Sequence, residues 1–234
     1  MKKLSASLLI VFSLTALAQN YSSLTSEYFL DNITKRGSMK LKLSHTQGNP
    51  FVFPKWLKAD IYLSSKPVKF TLDSVNYLGT KDWFIFKNNN ELYRIFPENV
   101  KLIVLYDENQ KRYFYSMPWN KGLNLPVFAE IFTDNPEQAY VFVQYKRIRE
   151  PKNKSQSYAS DRTLIEYVLR TNKQIYIQVN GDLISFNGGF GKLAKLLKSD
   201  KKTLKKWAKS QNLRIKNPAD LQKLLEIFYS NEAK

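Results

Sequence analysis

The chain has 234 residues, with 37 Lys and Arg against 20 Asp and Glu, a formal charge of +17, one His and no Cys. Without cysteine there is no disulfide framework, thiolate nucleophile or Cys-ligated zinc or iron–sulfur site, and His45 alone excludes a multi-His metal centre within one chain. A hydrophobic content of 43%, including 14% aromatic residues, is enough to build a buried core.

The N-terminus reads as a targeting signal over residues 1–18. Lys2 and Lys3 form a basic n-region, Leu4 to Leu17 is apolar apart from Ser and Thr, and Ala16-Leu17-Ala18 is an A-x-A cleavage site. The apolar run falls short of the roughly 20 residues that a spanning helix needs. No cysteine is present to carry a lipid. Cleavage between Ala18 and Gln19 leaves 216 residues with 35 basic and 20 acidic side chains, a charge of +15. The expected destination is the bacterial periplasm or the outside of the cell.

Residues 19–36 form a polar lead-in, and residues 37–187 carry the signature of an antiparallel β domain. Met39, Leu41 and Leu43 alternate with lysines, and Leu57, Ala59, Ile61 and Leu63 alternate with Lys58, Asp60 and Tyr62. Val68, Phe70 and Leu72 follow, then Trp83 to Phe86, Leu92 to Phe96, Val100 to Tyr106, Tyr113 to Tyr115, Val127 to Thr133 and Ala139 to Ile148. Short β-branched and aromatic runs at this spacing, with turn residues between them, predict a meander. Residues 150–161 have linker composition and predict a loop. Thr163 to Arg170 and Gln174 to Val179 predict a hairpin around Thr171-Asn172-Lys173, and Asn180-Gly181 predicts a type I′ turn into Leu183 to Phe186.

After Asn187-Gly188-Gly189 the period becomes helical. Phe190, Leu193, Ala194, Leu196 and Leu197 share one face. Ser199 or Asp200 is placed to cap a second helix reaching Gln211, with Leu204, Trp207 and Ala208 inward. Asn217-Pro218 opens a third helix, with Leu221, Leu224, Leu225 and Phe228 at i, i+3, i+4 and i+7. Residues 188–234 are thus a basic helical tail. Each helix is too short to stand alone, so the tail is expected to pack on the β domain.

From residue 186 onward there are 12 basic and 4 acidic residues, a net +8, more than half of the mature excess. Lys198, Lys202, Lys205, Lys206 and Lys209 follow the helical period opposite Leu204 and Trp207. Such a face is either a solvated surface that keeps the chain soluble or a docking surface for an anionic envelope component or an acidic protein. Nucleic acid is disfavoured by the export signal and by the scarcity of arginine in the tail.

There is no G-x-S-x-G, H-E-x-x-H or P-loop pattern, and Gly188-Gly189-Phe190-Gly191 reads as a strand-to-helix joint. The expectation is no catalytic residue, no metal and no cofactor. Trp56, Trp83 and Trp119, with Tyr62, Tyr77, Tyr93, Tyr113 and Tyr115, offer an aromatic face for sugar or peptide.

The run Trp56-Leu57-Lys58-Ala59-Asp60-Ile61-Tyr62, then Val75-Asn76-Tyr77, Trp83 to Asn88 and Phe128-Ala129-Glu130-Ile131-Phe132, and the ending Asn217-Pro218-Ala219-Asp220-Leu221-Gln222-Lys223-Leu224 after Lys-rich helices, resemble a family of uncharacterised exported proteins common in Bacteroidota. That resemblance implies compartment and architecture, and brings no site residues.

The expected fold is mainly β (α+β), an antiparallel barrel or sandwich of about ten to twelve strands followed by three short C-terminal helices. The expected function is that of an exported, non-catalytic binding or structural protein of the cell envelope. A secreted enzyme on saccharide or peptide is the first alternative, and a nucleic-acid-binding protein the second.

Overall fold

A computed structural model gives the structure of residues 49–64, 69–88, 91–108, 110–117, 127–151 and 167–232. The signal at 1–18, the lead-in at 19–36, the Met39 to Leu43 run, Trp119 and most of the 150–161 loop lie outside these described residues.

Among the described residues ten antiparallel strands form one sheet. They are β1 (Leu57–Leu63), β2 (Lys69–Leu78), β3 (Trp83–Asn88), β4 (Glu91–Ile95), β5 (Val100–Asp107), β6 (Gln110–Ser116), β7 (Phe128–Ile131), β8 (Val141–Pro151), β9 (Tyr167–Val179) and β10 (Asp182–Ser185). Their order is β10-β9-β8-β7-β6-β5-β1-β2-β3-β4, so two meanders join through the β1–β5 ladder. Three helices follow, α1 (Phe190–Leu196), α2 (Lys201–Ser210) and α3 (Pro218–Glu232). The mainly β chain with helices at its C-terminal end is as the sequence predicts. Neither a closed barrel nor a two-sheet sandwich is shown among the described residues: the sheet is single, and its end strands β4 and β10 do not pair with each other.

The sheet is nevertheless rolled, and chain length shows why. Five residues lead from Ile95 to Val100 and span at most about 17 Å. On a flat sheet β4 and β5 are four strand spacings apart, about 19 Å, and part of the link is a compact 3₁₀ turn at Pro97–Asn99. The sheet must curl to let the chain through. Phe84 of β3 accordingly meets Phe114 of β6 and Phe128 of β7 at 5.1 and 5.0 Å between ring centres. Gly79, after β2, accepts a backbone hydrogen bond from Arg147 of β8 at 3.0 Å. A side chain at position 79 has no room, since a Cβ there would lie 2.8 Å from Val52 and 3.0 Å from Arg147.

Inside the roll Ala59, Ile61, Val75, Tyr77, Phe84, Ile95, Ile103, Leu105, Phe114 and Val143 are fully buried. Beyond it the same sheet face continues through Val141, Ile177 and Val179, and there Leu193, Leu204, Leu221, Leu224, Leu225 and Phe228 of the helices cover it. Partly buried Phe132 and Ile175 touch both clusters.

Two local features depart from the sequence reading. Thr171-Asn172-Lys173 is not a turn: β9 runs straight through it, because Thr171, Asn172 and Lys173 pair with Arg147, Lys146 and Tyr145 of β8. A continuous ladder outweighs the local turn preference of three residues. For the same reason Glu150 and Pro151, expected in the loop, still pair with Val168 and Tyr167. The Asn180-Gly181 turn forms as predicted, with φ of 53° and 88°, the left-handed pair that a type I′ turn requires.

Candidate functional site

The lysine face is built by the two ends that flank it. α1 stops in a Schellman motif, in which Ser199 N–H donates to Ala194 O at 2.9 Å and Lys198 N–H to Lys195 O at 3.3 Å. This puts Lys198 in the left-handed region, φ 51°, where glycine is usual. Asp200 then caps α2, accepting from Thr203 N–H at 2.8 Å and Thr203 Oγ1 at 3.1 Å. The backbone N–H of Thr203 holds the Asp200 carboxyl below its ordinary range.

On α2, Lys201, Lys202, Lys205, Lys206 and Lys209 are exposed, and at the helical turn angle they share an arc of about 140°. Leu204 and Ala208, fully buried, point the other way, and half-buried Trp207 packs on the same helical cluster. The structure therefore gathers Lys202, Lys205, Lys206 and Lys209 and adds Lys201, which the sequence pattern left out. Lys198 stands apart, between α1 and α2. With Leu197, Val179, Phe228 and Tyr229 it lines a cavity of about 250 Å³.

Three carboxylates of the helical unit are otherwise engaged. Asp200 is the α2 cap, Asp220 accepts from Arg214 N–H at 3.0 Å, and Glu226 accepts from Gln222 Nε2 at 2.9 Å. Among the described residues no ion pair involves a lysine of α2.

The predicted aromatic set divides between three places. Tyr77 is core, 0% exposed, with burial and then Asp82 pushing its phenol well above the ordinary value. Tyr93 stacks on Phe86 at 5.1 Å. Trp56 leans on Phe51 at 5.1 Å, and Trp83 lies under the Arg94 guanidinium at 3.9 Å. Phe51 and Trp83 are both cross-strand partners of Leu78, so the two tryptophans belong to the outer face of β2 and β3.

The third place holds Tyr62, Tyr113 and Tyr115, and sequence reasoning missed its other members. Ladder register puts Lys58, Asp60 and Tyr62 of β1 beside Tyr106, Val104 and Leu102 of β5, which in turn face Lys111, Tyr113 and Tyr115 of β6. This is the outer face of the roll. Asp60 is 4% exposed and accepts from Thr71 Oγ1 at 2.7 Å, Tyr106 OH at 2.7 Å and Lys69 Nζ at 3.1 Å. Burial opposes ionisation of Asp60, but those three donors hold its carboxyl below the usual value. The same bond raises the Tyr106 phenol to about 12. Burial, then the Asp134 carboxylate and Tyr62, raises Tyr113. The signal for this cluster was an Asp in the middle of an apolar strand, a position that needs partners.

Two further polar groups, both partly buried, are structural. Asp82, at φ 58°, accepts from Tyr77 OH, Val127 N–H and Gln144 Nε2 and ties the β2–β3 turn to β7 and β8. Arg112 donates from Nε and Nη2 to Glu130 at 2.6 and 3.0 Å, and from Nη2 to Tyr145 OH at 2.9 Å. No group of three or more His, Cys, Asp or Glu among the described residues is placed to hold a metal.

Compared with protein-family models, with curated proteins and with solved structures, the chain matches none.

Proposed function

We propose that this chain is an exported, non-catalytic binding or structural protein of the cell envelope, and that the lysine face of α2 docks it on an anionic partner. The observation that carries the reading is the arc of five exposed lysines on α2, none in an ion pair among the described residues, beside carboxylates used as caps and side-chain acceptors. A face built only for solubility gains from interspersed charges of both signs. Here one sign is concentrated on a helix that the core holds rigid, which attracts a polyanion at long range.

The test is sedimentation of the protein with vesicles of phosphatidylglycerol and of phosphatidylcholine, across a salt series. Binding to the anionic vesicles that weakens with salt, and that is lost when Lys202, Lys205, Lys206 and Lys209 are changed to Gln, supports the reading. Binding that the four substitutions leave intact counts against it.

A further inference from the structure

β4 ends the strand order and, among the described residues, pairs with β3 on one side only. Its hairpin register says which backbone groups that leaves over. Asn88 and Glu91 flank a two-residue connection, so they form a hydrogen-bonded pair, and bonded and non-bonded pairs alternate from there. Phe86 with Tyr93 and Phe84 with Ile95 are bonded pairs, whereas Leu92 and Arg94 sit on non-bonded ones. The backbone N–H and C=O of Leu92 and Arg94 therefore point away from β3.

Arg94 adds an unfilled side chain on the same strand. Its Nε is buried and has no hydrogen-bond partner, and among the described residues no ion pair includes it. Burial lowers its pKa, and the charge of Glu98 partly offsets this. The guanidinium lies over the Trp83 ring at 3.9 Å and the Phe96 ring at 4.8 Å. A charge that only protects a sheet edge from aggregation stands out in water. This one is half-buried against two rings, and a buried nitrogen without an acceptor calls for a partner. Held in this way, a guanidinium offers the planar fork that a carboxylate fills with two bonds. Lys87, exposed and paired with Leu92, puts a second cation on the same face about 6.8 Å further along the strands.

The two features together select the occupant. The outward donors and acceptors of a strand edge are matched by another extended backbone. Cations two residues apart along one face are matched by acids at alternate positions of that backbone. A phosphate or a small dicarboxylate would fill the Arg94 fork but leave the backbone of Leu92 and Arg94 unpaired.

We propose that β4 takes up an extended acidic segment of a partner protein as an added strand, its backbone bonded to Leu92 and Arg94 and one of its carboxylates seated on the Arg94 guanidinium. This edge is separate from the α2 lysines and does not depend on them.

The test is fluorescence polarisation with a short labelled peptide of alternating Thr and Glu. The full chain is used with Lys202, Lys205, Lys206 and Lys209 changed to Gln, so that the α2 face adds nothing to the signal. The expected result is saturable binding that Arg94→Gln weakens about tenfold or more, the size of a lost charge-assisted hydrogen bond. Arg94→Lys weakens it too, because lysine keeps the charge without the fork. Leu92→Pro removes an outward N–H that β3 does not use, so the fold is kept and binding falls. A peptide of alternating Thr and Gln, and the Thr–Glu peptide methylated on its backbone nitrogens, both bind at least about tenfold more weakly. Circular dichroism confirms that the variants are folded. The proposal is overturned if the Thr–Glu peptide does not bind, or if Arg94→Gln and Leu92→Pro bind it as well as the parent. It is also overturned if the backbone-methylated peptide binds as well as the plain one, which would make Arg94 a site for a free anion.

Discussion

The side-chain oxygen of Gln222 on α3 lies 3.0 Å from the amide nitrogen of Val141, the first residue of β8, and 2.9 Å from that of Tyr140. Its Nε2 donates to Gln138 O and to Glu226 Oε1, so the 1% exposed amide uses donors and acceptor alike. β7 pairs with β8 only through Glu130 and Ile131; at the start of β8 the glutamine does what a neighbouring strand would do. Gln222→Leu therefore strands two backbone donors. The expected loss is about 2–4 kcal/mol, read as a lower urea midpoint, and an unchanged midpoint would show that water reaches those amides.

Arg112 and Glu130 make a paired contact of low exposure, 16% and 6% for their side chains, with the guanidinium also 4.7 Å from the Phe53 ring centre. Glu130→Gln leaves that cation without its counter-charge, at an expected cost of about 3–5 kcal/mol. Replacing both partners, Arg112→Met with Glu130→Leu, is expected to recover much of the loss. Equal damage from the single and double changes would place the effect in packing instead of charge.

The Asp60 cluster predicts two pH limits. Its carboxyl is depressed below 3.8 in the folded chain, so its stabilising contribution is complete above that value and fades as pH falls through the lower folded value. Tyr106 is raised from 10.0 to about 12, so its contribution is complete below 10 and fades as pH rises toward 12. Asp60→Asn should flatten the acid limb of stability against pH and bring Tyr106 ionisation, followed by ultraviolet absorbance, back toward 10. A Tyr106 midpoint that Asp60→Asn does not move would contradict the assigned cause.

Lys198 occupies a left-handed position that costs a non-glycine residue about 1 kcal/mol. Lys198→Gly is expected to raise stability by about that amount while removing one charge. Calorimetry of the variant measures it, and a lower melting temperature would mean that the lysine stem contributes to the cavity wall beside Phe228.

The helices were the most legible part of the chain. Asp200, Asn217-Pro218 and the Leu221 to Phe228 spacing are local signals, and the structure uses each: Asp200 caps α2, and Asn217 accepts from Ala219 N–H at 3.0 Å. β2 was harder. Phe70 and Leu72 face the core, and so do Val75 and Tyr77, because a bulge between them shifts the alternation by one residue. Strict period two cannot describe such a strand. The tyrosine face was half visible. Tyr62, Tyr113 and Tyr115 were in the aromatic set, but Tyr77 and Tyr93 share their composition and lie elsewhere, and only the β1–β5 register separates them. Gln222 gave no sign, since a glutamine on a polar helix looks like any solvated residue until the strand start it serves is in place.

The strand order also bears on how the chain reaches this state. Among the described strands every ladder but one joins strands consecutive in sequence, and the exception is β1 with β5. Loop-closure entropy is thus concentrated in a single zipping event. The hairpins from β5 to β10 can assemble cheaply, with α1 to α3 settling onto β8 and β9. On this order the β1–β4 arm is expected to wrap across them late. Substitutions at Ile61 or Ile103, on either side of that seam, should mainly speed unfolding, whereas those at Val143 or Ile177 should slow refolding.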